Sequence, residues 1–135
     1  MVACMKRIIP GIIVKDTEAA KAFYVRHLAA KVIFDAGWYV ALRLGGQDGP
    51  EVSFAMPHHE RDTPVLPGTV SLYVEVDDVD GVHDQVRATG AVLEGPPCDK
   101  PWGDRSFTLT DPHGVRVYVF SPRPMSPEFA PYVKE

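Results

Sequence analysis

The sequence predicts an α+β fold of two modules in tandem, each running strand, helix, strand, strand, strand. Three observations carry that prediction. Of 135 residues, 45% are hydrophobic and 24% charged, an ordinary globular balance that supplies a core without help from disulfides or a structural metal. Hydrophobic spacing switches from alternation to a helical period and back, and does so twice. The same order of elements then returns about 60 residues later, with few identities between the halves, so a pattern is repeated and not a sequence.

The first module is expected over about residues 6–57. Arg7 to Val14 is an apolar run broken by Pro10 and Gly11, which reads as a strand at an edge or a bulge because Pro10 has no amide to donate. Asp16 is placed to cap a helix, with Glu18 in its first turn and Ala20, Phe23, Tyr24 and Leu28 along one face. Val32 to Phe34, Trp38 to Leu44 and Glu51 to Met56 read as three further strands, the last two joined by a glycine-rich turn. Residues 58–68, rich in proline and charge, read as a linker.

In the second module, about residues 69–121, Val70 to Val76 reads as a strand. Asp77-Asp78 leads into a helix carrying Val79, Val82 and Val86, with Gly90 as its stop. Ala91 to Leu93 is expected to begin a strand, followed by a proline-rich loop and a strand from Arg105 to Leu109. Asp111-Pro112-His113-Gly114 is a strong turn signal before a closing strand from Val115 to Phe120. Residues 122–135, with four prolines, are expected to pack over the surface or a partner.

Several function classes are disfavoured at this level. A net charge of -4 with no basic stripe argues against nucleic acid as a partner; it mildly favours a cationic ligand and equally suits solubility. Two cysteines, Cys4 and Cys98, make no disulfide framework and suit a reduced, cytoplasmic protein. The opening residues lack the apolar stretch of a signal peptide, and no segment has the length for a membrane helix. A soluble single domain of 135 residues is the expectation.

Three stretches together resemble the vicinal oxygen chelate superfamily of glyoxalases, bleomycin-resistance proteins and extradiol dioxygenases. They are Val14-Lys15-Asp16 with Ala22-Phe23-Tyr24 and Leu28, then Val76-Asp77-Asp78-Val79, then Pro101-Trp102-Gly103-Asp104-Arg105 with Phe107 and Asp111-Pro112-His113-Gly114. The last is most similar to the bleomycin-resistance branch. One departure is Leu28-Ala29-Ala30, where that family commonly has Leu-Gly. The resemblance covers about residues 6–121 and implies two βαβββ modules whose sheets curl round a cleft, in a homodimer.

The same resemblance implies four inward positions that hold His and Glu ligands in metal-dependent members. Here they fall at about Ile9, at Glu51, at Ser71 and at Tyr118, and only Glu51 is an ordinary ligand. A divalent catalytic site needs about three such donors, so neither metal nor cofactor is expected. His58-His59-Glu60 with Asp62 is the densest alternative cluster, but flanking prolines make it read as a solvated loop, and His113 reads as a turn residue. Glu51 is expected to face solvent or to take a cationic or amide-bearing ligand, with a general-base role as a third option. No nucleophile or phosphate-loop motif is present.

Aromatic residues are the remaining clue. Trp38, Phe54, Trp102 and Tyr118, with Glu51, Ser71 and Arg105, form the expected ligand-binding set, although any single ring on a strand is more often core. Arg105 is expected either to orient an anionic group or to pair with Asp104 or Asp111. The leading function is a metal-free protein that sequesters a small aromatic or peptidic compound. The alternatives are a glyoxalase- or dioxygenase-type enzyme with a non-standard metal site and a regulatory module acting through its dimer surface.

Overall fold

The computed structural model describes residues 3–135 and separates the chain into two units, the first ending at Val65 and the second beginning at Leu66. The first contains β1 (Gly11–Ile13), α1 (Thr17–Leu28), β2 (Lys31–Asp35), β3 (Tyr39–Arg43) and β4 (Glu51–Ala55). The second contains β5 (Ser71–Glu75), α2 (Val79–Ala88), β6 (Cys98–Lys100), β7 (Asp104–Thr110) and β8 (Arg116–Pro122), followed by a 3₁₀ turn at Pro127–Tyr132. Each unit carries one four-stranded mixed sheet. The orders are β1-β4-β3-β2 and β5-β8-β7-β6, the same arrangement twice, and in each the first and last strands of the module pair parallel. The tandem α+β architecture of strand–helix–strand–strand–strand modules is therefore present, as two open sheets.

In the first unit the predicted strand at Arg7 to Val14 contracts to three residues at the sheet edge. Pro10 cannot donate, yet its carbonyl accepts from the Ser53 amide at 2.9 Å, so the ladder starts one residue later. Asp16 caps α1 by accepting the Ala19 amide at 3.1 Å. The helix lays Ala20 and Tyr24 onto the sheet, where Tyr24 meets the Phe54 ring at 5.2 Å between centroids. Val40, Leu42, Val52 and Phe54 are buried with them and form this unit's core.

α1 ends on Ala29, which holds a left-handed conformation at φ 52° while the Ala30 amide closes the helix on the Tyr24 carbonyl at 3.1 Å. Ala29 is exposed, so its methyl group contributes little packing and keeps its steric conflict with the backbone. Ala29→Gly should raise stability by about 0.5–1 kcal/mol, the relief of the left-handed strain less the extra unfolded-state freedom of glycine. The midpoint of urea unfolding reads this directly, and an unchanged or lower midpoint would mean the cap is unstrained.

In the second unit Asp78 caps α2 through the Gly81 amide, and Gly90 follows the helix end at φ 88°, as the sequence predicted. Val79, His83 and Val86 face the sheet and are buried with Phe107, Leu109, Val117 and Val119. The strand expected at Ala91 to Leu93 does not form. Only Leu93 bridges to Leu109, because Gly95, Pro96 and Pro97 turn the chain away. The fourth strand is instead β6, inside the segment read as a loop, and it pairs with β7 across the turn at Pro101-Trp102-Gly103.

The Asp111 turn is built as its composition suggests: the carboxylate accepts the amides of His113 at 2.8 Å and Val115 at 3.0 Å, and Gly114 sits at φ 81°. After β8 the tail folds back on the Trp102 turn. The Arg123 amide bonds the Gly103 carbonyl at 2.8 Å, the Ser126 amide bonds Pro101 at 2.8 Å, and Phe129 meets Trp102 edge-on. Among the described residues no helix is long and apolar enough to cross a membrane.

Candidate ligand-binding cleft on the second sheet

Alternation along β5, β7 and β8 divides the second sheet into two chemically different faces. One set, Phe107, Leu109, Val117 and Val119, packs under α2. The other presents Ser71 and Tyr73 from β5, Asp104, Ser106 and Thr108 from β7, and Arg116, Tyr118 and Phe120 from β8. That second face bounds a cleft of about 640 Å³, with Glu94 and Trp102 on its walls. A volume in this range suits a small organic ligand.

One hydrogen-bonded network orders its centre. Tyr118 donates its hydroxyl to both oxygens of Asp104 at 3.0 Å and accepts from Ser106 at 2.9 Å. The Trp102 indole N–H donates to Asp104 at 2.9 Å and grazes the Tyr118 hydroxyl at 3.3 Å. Burial first, and then the bond to Asp104, holds the Tyr118 phenol above its ordinary value against the opposing pull of Ser106 and Trp102. The phenol therefore stays protonated and remains a donor at neutral pH. Two rings are locked by one carboxylate: Trp102 stays about half exposed, and Tyr73 lies 5.3 Å from Tyr118 with 72% of its surface open. The arrangement offers fixed aromatic faces over a polar floor.

Of the residues singled out in the sequence, Ser71, Trp102 and Tyr118 meet in this cleft. Arg105 does not line it. Its guanidinium lies toward α2, bonded to Asp80 at 2.9 and 3.0 Å and to Asp99 at 3.3 Å, and this contact holds the Asp80 carboxyl below its ordinary range. The salt bridge expected of Arg105 therefore exists with partners other than Asp104 and Asp111. Trp38, Glu51 and Phe54 belong to the first unit. Phe54 is fully buried in its core, while Trp38 is half exposed beside Tyr39 and His58. Glu51 keeps 11% of its side chain exposed and is ion-paired with Arg7 at 2.7 Å.

Sequence reasoning passed over Asp104, Tyr73, Thr108, Arg116 and Phe120 as site residues. Strict alternation counted outward from Ser71 and Tyr118 would have found Tyr73, Arg116 and Phe120, while Thr108 is the β7 partner of Tyr118 and Asp104 adjoins the Trp102 turn.

The donors do not fit the divalent ion that the family resemblance implies. Ile9 lies ahead of β1, the Tyr118 hydroxyl is committed to Asp104, and the Glu51 carboxylate is taken by Arg7. Among the described residues no group of three His, Cys, Asp or Glu side chains is placed to hold a metal. The His58-His59 loop is organised by Asp62, whose carboxylate accepts both backbone amides at 2.8 and 3.0 Å and is held below its ordinary range chiefly by the first of them.

Comparison with known proteins agrees with this architecture. A family model described as the Glyoxalase/Bleomycin resistance protein/Dioxygenase superfamily matches residues 5–119. No curated protein matches the sequence. Among solved structures, a glyoxalase/bleomycin resistance protein/dioxygenase from Nocardioides is 19% identical, with a TM-score of 0.72 over 91% of this chain and 87% of that one. TnmS3, an antibiotic binding protein from Streptomyces sp. CB03234, is 26% identical, with a TM-score of 0.70 over 90% of this chain and 99% of its own. A superfamily member from Sphaerobacter thermophilus is 24% identical, with a TM-score of 0.67 over 87% of this chain and 98% of its own.

Proposed function

The chain belongs to the glyoxalase/bleomycin resistance protein/dioxygenase superfamily, and from that premise we propose that it is a metal-free binding protein that sequesters a small planar aromatic compound. The observation that carries the reading is the Trp102–Asp104–Tyr118 network, which fixes two rings at the edge of a cleft of about 640 Å³. Sequestration needs affinity and no group that changes its bonding, and the Ser106–Tyr118–Asp104 chain has every hydroxyl already engaged. Rings held in place before binding lose little freedom when a ligand stacks on them, which turns more of each contact into affinity. The antibiotic-binding neighbour from Streptomyces makes a planar antibiotic a reasonable first class of ligand to try.

Quinone, anthracycline and glycopeptide compounds screened by thermal shift should include at least one that raises the melting temperature. Trp102→Ala should then weaken that ligand about 10- to 100-fold in calorimetry, since it removes both the stacking and the buried area of the largest ring. Protein equilibrated with nickel, zinc, iron(II) or manganese should retain no stoichiometric metal. One equivalent held, or turnover dependent on it, would replace this reading with an enzymatic one.

A further inference from the structure

Asp104 is only 8% exposed, and every partner its carboxylate has is a neutral donor: the Trp102 N–H and the Tyr118 O–H. A carboxylate this enclosed ordinarily faces a positive charge. Among the described residues no cation is ion-paired with Asp104, and Arg123, beside the register partner Pro122, donates to the Pro122 carbonyl at 2.9 Å. Lys100 stands opposite Asp104 in the β6–β7 register without forming an ion pair with it, and Arg105 is committed to Asp80 and Asp99. Arg116 lines the cleft but is in register with Thr110, six residues along β7 from Asp104. At about 3.3 Å per residue that is roughly 20 Å, beyond the span of an arginine side chain. Glu94 on the wall adds a second negative charge.

Resting on the proposal that this cleft binds a planar aromatic compound, we infer that the ligand is cationic: an aromatic ammonium whose charge lies against Asp104, between the rings of Trp102 and Tyr118. Trp102 and Tyr118 turn their N–H and O–H edges to Asp104, so the attraction on the ammonium comes from the carboxylate itself. The ligand's ammonium supplies the counter-charge that none of the described side chains supplies. Its aromatic body runs along Tyr73 and Phe120.

The test uses three probes of one shape at pH 7: 1-naphthylmethylammonium, 1-naphthylmethanol and 1-naphthylacetate. Binding is followed by calorimetry and by the NMR signal of the Trp102 indole N–H. The ammonium should bind at least about tenfold more tightly than the alcohol, with the acetate weakest. Asp104→Asn should erase that preference, whereas Asp99→Asn, which removes an acid of the same hairpin outside the cleft, should leave it. The ranking of the three probes on unmodified protein needs no variant, so misfolding of Asp104→Asn leaves the question decidable. If the alcohol or the acetate binds as tightly as the ammonium while shifting the Trp102 signal, the cation is wrong and the aromatic cleft stands. If no probe moves that signal, both readings fall.

Discussion

Phe54→Ala should destabilise the protein by about 3–5 kcal/mol, the range of ring deletions from well-packed cores. The ring is fully buried at the centre of the first sheet and lies 5.2 Å from the Tyr24 ring, which α1 brings down onto it. Val40, paired directly across from Phe54 on β3, and Ile12 on β1 are buried around it, so the loss is felt on both sides of β4. Both neighbours are backbone-paired to β4 and have little room to collapse into the void. Urea denaturation gives the difference, with Phe54→Leu as a milder companion that should lose less than half as much. A change below about 1 kcal/mol in the alanine variant would mean that the ring does not hold α1 to its sheet.

Gly114→Ala is the second large effect, and its origin is different. A methyl group at Gly114 would sit 2.4 Å from the Pro67 Cα and 2.6 Å from its Cβ, and the backbone is at φ 81°, where an L side chain is strained. The obstacle is backbone, held by the Gly68 amide bonded to the Gly114 carbonyl at 2.9 Å, so it yields only by breaking that contact. Strain and displacement together should amount to about 2–4 kcal/mol. Gly37→Ala is the matched control: its φ is 88° but a Cβ there meets nothing within 4 Å. It should lose only about 1 kcal/mol, and the difference between the two variants isolates the collision with Pro67. Equal losses would show that backbone strain alone accounts for both.

How far the sequence revealed this fold depended on how strongly each local signal was written. Asp16 and Asp78 announced both helices through capping chemistry, and alternation located seven of the eight strands within a residue or two at most ends. β6 escaped because Cys98-Asp99-Lys100 has little intrinsic preference for a strand; it exists because the tight turn at Trp102-Gly103 lays it beside β7. The site was half legible for a related reason. Trp102 and Tyr118 stood out as aromatics, whereas Arg105 was singled out and its neighbour Asp104 was not, and on a strand one residue is the other face. Phe54 illustrates the same ambiguity in reverse. An aromatic on a strand reads identically whether it faces a helix or a ligand, and only the placement of Tyr24 decides.

The parallel pairing that closes each module has a consequence for the order of events in folding. Hairpins such as β3–β4 and β7–β8 join strands only a few residues apart, whereas Gly11 must find Ser53, and Ser71 must find Arg116, across roughly forty residues of intervening chain. Such long-range closures form late, after local hairpins and helices have condensed. Tyr73 and Tyr118 face each other across the later of these seams in the second unit. The Tyr73–Tyr118 ring pair of the cleft is thus completed only when that seam closes, and native hairpins alone do not bring the two rings together.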